Sequence, residues 1–113
     1  MVSPYEGNGA DPAPAAPRPA SSARARVPDH VVYRSFPGET VLLNLTTGTY
    51  HGLNATAGRM LEELERASSI GDAAARLAVE FAQPPALVER DLRALCGELL
   101  ERGLLRVEDG PEP

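Results

Sequence analysis

Lysine and tryptophan are absent from this 113-residue chain, and cysteine occurs once, as Cys96. A single thiol excludes a disulfide framework and leaves a four-ligand zinc site short of sulfur, so a reducing cytosol is the expected compartment. No apolar run approaches the ~20 residues needed to span a bilayer, and the N-terminus lacks the charged-then-apolar order of a secretion signal. The expectation is a cytoplasmic protein without a membrane partner. Eleven Arg against 16 acidic residues give a net charge of -5, which argues against a nucleic-acid partner held mainly through phosphates. Residues 1–28 carry three Arg and two acids and the remainder eight Arg and 14 acids, so a basic partner surface would meet the C-terminal part.

What is present divides the chain in two. Residues 1–28 hold six of the 11 prolines and seven alanines, with only Val2, Tyr5 and Val27 as larger apolar groups after Met1. Such a segment cannot offset the entropy of ordering it and reads as a disordered tail. One domain is expected over residues 29–107, followed by a flexible terminus over 108–113; a core of that size buries only roughly two-thirds of the surface its unfolded chain exposes.

Within the domain, Val31 to Phe36 is β-branched and aromatic, and Pro37-Gly38 marks a turn. Glu39 to Leu45 forms a second strand in which Val41, Leu43 and Leu45 alternate onto one face, and Thr47-Gly48 supplies a turn suited to positive φ. Thr49 to Leu53 is the third strand of an antiparallel meander. No further strand follows to pair with it, so it is an edge. Asn54 is placed to cap a helix over about Ala55 to Arg66, whose Ala57, Met60, Leu61 and Leu64 share one face. Ser69 and Asp72 resemble a capping box ahead of a second apolar stripe from Ile70 to Phe81. Pro84-Pro85 can open a helix but not continue one, and a third helix follows with Val88, Leu92, Leu95, Cys96, Leu99 and Leu100 inward. Gly103 ends it, and Leu104 to Val107 add a short strand or packed extension. The fold class is α+β: a three-stranded meander followed by a three-helix bundle, winged-helix-like in outline.

Nothing in this pattern resembles a nucleophile, a phosphate cradle or a metal cage, and no cofactor is implied. His30 has Asp29 beside it and His51 has Tyr50, but His51 lies on the edge strand, where aromatic-polar alternation needs no acid-base role. Cys96 falls on the apolar stripe between Leu92 and Leu100 and reads as a buried structural cysteine. Glu62, Glu63 and Glu65 diverge around the first helix as a solvated face rather than a focused pair. The Asn44-Leu45-Thr46 sequon reads as coincidence in a cytosolic strand. Asp91, between Val88 and Leu92 at the border of the stripe, stays open between a surface residue and an acceptor for a ligand hydroxyl or amide. The unpaired backbone of Thr49, Tyr50, His51, Gly52 and Leu53 offers a more general chemistry, because an edge can accept an added peptide strand while neighbouring pockets read its side chains.

The stretches TGTYHGLNATAGRMLEEL and AAARLAVEFAQPPALVERDLRALCGELLERGLL resemble the family of the pyrroloquinoline quinone biosynthesis protein D, known more broadly as precursor-peptide recognition elements. The resemblance runs from about Val31 to Val107 and rests on Gly48 and Tyr50, on Leu53, Asn54 and Ala57 where the first helix begins, on Leu61 and Leu64, on Val88, Asp91 and Leu92, and on Leu99, Gly103, Leu104 and Leu105. It implies a non-catalytic domain that binds the leader of a ribosomally made precursor peptide as an added strand on the third strand, against the third helix. Val88, Asp91, Leu92 and Leu95 would line or border that groove. The implied second partner is a maturation enzyme, a lasso peptide leader protease or else a radical SAM enzyme of a quinone-cofactor type pathway. The chain lacks the Asp-Gly turn that many members carry after the first helix, having Ala67-Ser68-Ser69 instead, and its Pro/Ala tail is additional. The alternative from a different class is a winged-helix regulator reading DNA with one helix, against which the acids interspersed among Arg90, Arg93 and Arg102 count.

Overall fold

A computed structural model describes residues 18–108. In chain order the elements are β1 (Arg24–Arg26), β2 (Val31–Phe36), β3 (Glu39–Asn44), β4 (Tyr50–Asn54), α1 (Ala55–Arg66), α2 (Ile70–Phe81), α3 (Pro85–Glu101) and β5 (Arg106–Glu108). Strands β2, β3 and β4 form an antiparallel sheet in that order, and β1 pairs antiparallel with β5 in a separate two-stranded ribbon. The meander and the three helices stand where the sequence pattern puts them, with strand ends shifted by one residue.

Each helix start is set by local chemistry. Asn54 Oδ1 accepts from the Ala57 N–H at 2.8 Å, and Ser69 Oγ accepts from the Asp72 N–H at 3.0 Å; each satisfies a donor that the first helical turn leaves unpaired. Pro85 opens α3, where a missing N–H costs nothing. Gly58 lets α1 approach β3: a Cβ there would lie 2.8 Å from Thr40 Cβ, and Thr40 is itself buried. Glu63, buried on α1, pairs with Arg59 at 3.0 Å and Arg76 at 3.5 Å, while Arg59 reaches Glu80 at 2.8 Å, tying α1 to α2.

Leu42, Leu61, Ile70, Leu77, Val88, Leu92, Cys96 and Leu99 are fully enclosed in the core between sheet and helices. Leu100 is only half-buried, at the margin of the stripe expected to hold it. Burial pushes the Cys96 thiol up to about 12, so it is a neutral packing group. In β3 the core takes Leu42 together with Thr40 and Asn44, and the Val41, Leu43 and Leu45 face is the outer one. Both parities of this strand carry apolar residues, so alternation alone does not choose between them.

The tail boundary at residue 28 is corrected. Residues 19–27 form a strap across the helices. The Ile70 N–H donates to Ala23 O at 2.8 Å and the Gly71 N–H to Ser21 O at 2.9 Å, so the strap completes the capping of α2. Val27 N–H donates to Glu65 at 2.8 Å, Arg93 Nε donates to Pro19 O at 2.8 Å, and Ser21 Oγ bonds Glu89. Ala23 and Ala25 are buried beneath it. Glu108 likewise belongs to β5, opposite Arg24. The rest of the expected N-terminal tail, residues 1–17, and the C-terminal residues 109–113 lie outside the described residues.

Candidate functional site

Strand β4 is the last of its sheet, and the turn before it fixes which backbone groups it leaves free. The Asn44 N–H donates to Thr49 O at 2.9 Å, Asn44 Oδ1 accepts from the Thr46 N–H at 2.9 Å, and Gly48 takes a φ of 76°. Hydrogen-bonded pairs alternate along an antiparallel ladder. Counting from Asn44 and Thr49, the register puts the bonded pairs at Leu42 with His51 and Thr40 with Leu53. His51 and Leu53 therefore turn their N–H and C=O groups toward β3, and Tyr50 and Gly52 turn theirs toward the open edge. Thr49 precedes the strand, exposed, with its hydroxyl 2.7 Å from that of Thr47.

The second wall is α3. His51 Nε2 lies 3.8 Å from Glu98 Oε2, an ion pair across the space between β4 and the helix when the imidazole is protonated. Residues in helical register with Glu98 continue that flank in both directions: Asp91, Ala94 and Leu95 toward the N-terminus, Arg102 toward the C-terminus. Asp91 is partly exposed and paired with Arg90 at 2.9 Å, and Arg102 sits 3.8 Å from Glu98. Burial lowers the His51 pKa, Arg102 lowers it further, and Glu98 opposes them.

Of the expected residues, His51 is set against α3 through Glu98, Asp91 lies on the same helical flank, Tyr50 and Gly52 sit on the outer face of β4, Thr49 is exposed ahead of it, and Leu95 is buried at 5% exposure. Val88 and Leu92 have no exposed surface and Leu53 is 2 % exposed; they shape the floor from within the core and offer no side chain to a partner in this conformation. Glu98 and Arg102 were missing from the expected set. They stand seven and 11 positions after Asp91, the spacing that returns to the same helical flank.

A match to the family model for coenzyme PQQ synthesis protein D covers residues 39–105, more than half of the chain. The chain belongs to the PqqD family. Two solved structures are similar to this PqqD-family domain. One, TbiB1 in complex with the TbiA(beta) leader peptide, is 34% identical, with a TM-score of 0.66 over 72% of this chain and 94% of that one. The other, lasso peptide synthetase B1 complexed with the leader peptide, is 29% identical, with a TM-score of 0.66 over 74% of this chain and 98% of that one. No curated protein matches the sequence.

Two further features of this PqqD-family domain bear on partners. The outer face of the sheet carries several apolar side chains, with Val32 48%, Phe36 51% and Tyr50 72% exposed and Val41 and Leu43 between them, alongside the exposed charges of Arg34 and Glu39; Leu45 continues it at 57%. Among the described residues no cluster of three or more His, Cys, Asp or Glu side chains could hold a metal ion, and no helix is long and apolar enough to cross a membrane. His30 Nε2 is 3.1 Å from Gly103 O, which joins the start of the sheet to the end of α3.

Proposed function

We propose that this PqqD-family domain binds the leader segment of a ribosomally synthesised precursor peptide by strand addition to β4 and delivers it to a maturation enzyme. The observation that carries the proposal is the open edge of β4, whose Tyr50 and Gly52 backbone groups face outward beside the Asp91, Leu95, Glu98 and Arg102 flank of α3. Main-chain hydrogen bonds supply affinity in this mode and side-chain contacts supply the choice of sequence. Similarity to two B1 proteins, each solved with a leader peptide, supports the same reading and favours a lasso peptide pathway over a quinone-cofactor or radical SAM pathway. The domain itself performs no chemistry.

The maturation enzyme is then a lasso-type leader protease, and the outer face around Val32, Phe36 and Tyr50 is the surface left for it once the edge is filled. An interface below about 1,200 Å² suits transient delivery of this kind. The DNA-reading alternative draws no support from α3, where Arg90 pairs with Asp91, Arg93 with Pro19 O and Arg102 with Glu98.

Titration of the domain with the leader of the precursor encoded beside its gene, followed through amide chemical shifts, tests the proposal. Saturable shifts at residues 50–54 and 91–102 are expected. Absence of saturable binding, or shifts confined to α2, contradicts it.

A further inference from the structure

The arginines of this chain are unevenly partnered. Arg59, Arg76, Arg90, Arg102 and Arg106 each pair with a carboxylate at 3.8 Å or less. Two of the others, Arg18 and Arg93, face one cavity. Among the described residues the Arg18 guanidinium makes no hydrogen bond or ion pair, and Arg93 gives only its Nε, to Pro19 O at 2.8 Å.

The cavity lies where the strap meets the first turns of α3. It has a volume of about 220 Å³ and is lined by Arg18, Ala86, Glu89, Arg90 and Arg93. Arg90 and Arg93 stand three apart on α3, so their side chains are neighbours, and Arg18 closes the space from just ahead of the strap. Guanidiniums gathered around one space repel one another unless a negative charge sits between them. The one carboxylate in the wall does not supply it: Glu89 is turned to the Ser21 hydroxyl, and no ion pair joins it to an arginine. Three guanidiniums against one carboxylate leave the wall with a net charge of +2. Asp91, which holds Arg90 at 2.9 Å from outside the lining, reduces this excess without cancelling it. Such a cluster is unexpected in a chain whose net charge is -5.

We propose that this cavity is an anion site, separate from the leader-binding edge, and that it takes a phosphate group, either free or at the end of a polyphosphate chain. A carboxylate offers two oxygens and one charge. A phosphate offers at least three oxygens and a charge near -2 at neutral pH, which matches several guanidinium forks and the excess charge of the wall. No aromatic ring lines the cavity, so a nucleobase would find no stacking platform there and only the phosphates of a nucleotide are read. Pro19 follows Arg18 directly, and Arg93 already holds its carbonyl. A phosphate shared by Arg18 and Arg93 therefore fastens the start of the strap to α3, and the bound anion stabilises the folded domain.

Thermal melts and calorimetric titrations of the full chain at constant ionic strength test the site, with inorganic phosphate, pyrophosphate and ATP as ligands and acetate and chloride as controls. A saturable rise in melting temperature is expected with a phosphate ligand and not with the controls; at ten times its Kd the ligand shifts the folding equilibrium roughly tenfold. Saturation by inorganic phosphate or pyrophosphate identifies a free anion, and saturation by ATP alone identifies a nucleotide; both satisfy the proposal. Arg18→Gln removes a side chain with no partner in the free domain, so the variant is expected to melt as the wild type does without ligand and to bind phosphate roughly tenfold more weakly. Glu89→Gln keeps an acceptor for Ser21 while removing the negative charge from the wall, and is expected to bind more tightly. No saturable effect, an equal effect from acetate or chloride, or undiminished binding by Arg18→Gln overturns the site. None of these results touches the leader titration, whose shifts are expected at β4 and the opposite flank of α3.

Discussion

One flank of α3 is covered by the chain itself, and the opposite flank faces an open strand edge. On the covered side Arg93 holds Pro19 O and Glu89 bonds Ser21, and the strap they anchor goes on to cap α2 and pair β1 with β5. About half a helical turn away lies the flank of Asp91, Glu98 and Arg102, and it meets β4 through His51 and Glu98 at 3.8 Å. The difference teaches how a small domain can be stable and still receptive. Backbone groups on the strap side are satisfied by neighbouring segments of the chain, whereas those of Tyr50 and Gly52 turn away from the sheet. On the proposed strand addition, a partner strand would complete the second side as the strap completes the first.

Substitutions should separate the two sides. Leu92 lies between the flanks with no exposed surface, and Leu92→Ala is expected to cost about 2–5 kcal/mol in urea denaturation and to weaken leader binding only through unfolding. Ala25→Asp places a carboxylate under the strap, where Ala25 is 1% exposed, and is expected to cost about 1–3 kcal/mol or more while the affinity of the folded fraction stays unchanged. Gly52→Pro acts on the open side alone. It removes an edge-facing N–H, so roughly tenfold weaker leader binding is expected with little change in melting temperature. His51→Pro, one residue along, removes a donor to β3 and is expected to unfold the hairpin instead.

The smallest effect is a pH dependence. Folding lowers the His51 pKa from its ordinary 6.5, through burial first and Arg102 second, so the unfolded chain binds the proton more readily. The contribution of His51 to stability is then full above about pH 6.5 and is lost as pH falls through and below that value. Comparing melting temperatures of the wild type and His51→Gln between pH 7.5 and 5.5 checks it; the wild type is expected to lose more on acidification than the variant.

Much of this architecture is legible in the residues. Asn54 and Ser69 cap the helices they announce, Pro84-Pro85 separates α2 from α3, and the three-strand order leaves β4 at the edge. The strap is not legible, because the side chains it buries are Ala23 and Ala25, which carry little hydrophobic signal, and its partners are the starts of α2 and α3 and the distant β5. The outward face of β3 is hidden for the opposite reason: Leu42 and Leu43 are adjacent and both apolar, and only the packing of α1 on Thr40 decides which turns in. At the site, the inward stripe of α3 reads as a groove lining, yet Val88 and Leu92 are spent on the core. The surface available to a partner lies one step around the helix, at Asp91, Glu98 and Arg102.

Amide hydrogen exchange along β4, with and without the leader peptide, bears most directly on strand addition because it reads alternate residues. In the free domain the Tyr50 and Gly52 amides should exchange fast and those of His51 and Leu53 slowly; the leader should slow Tyr50 and Gly52 to the rate of their neighbours. Saturable binding that leaves the Tyr50 and Gly52 amides as fast as before would contradict capture at this edge.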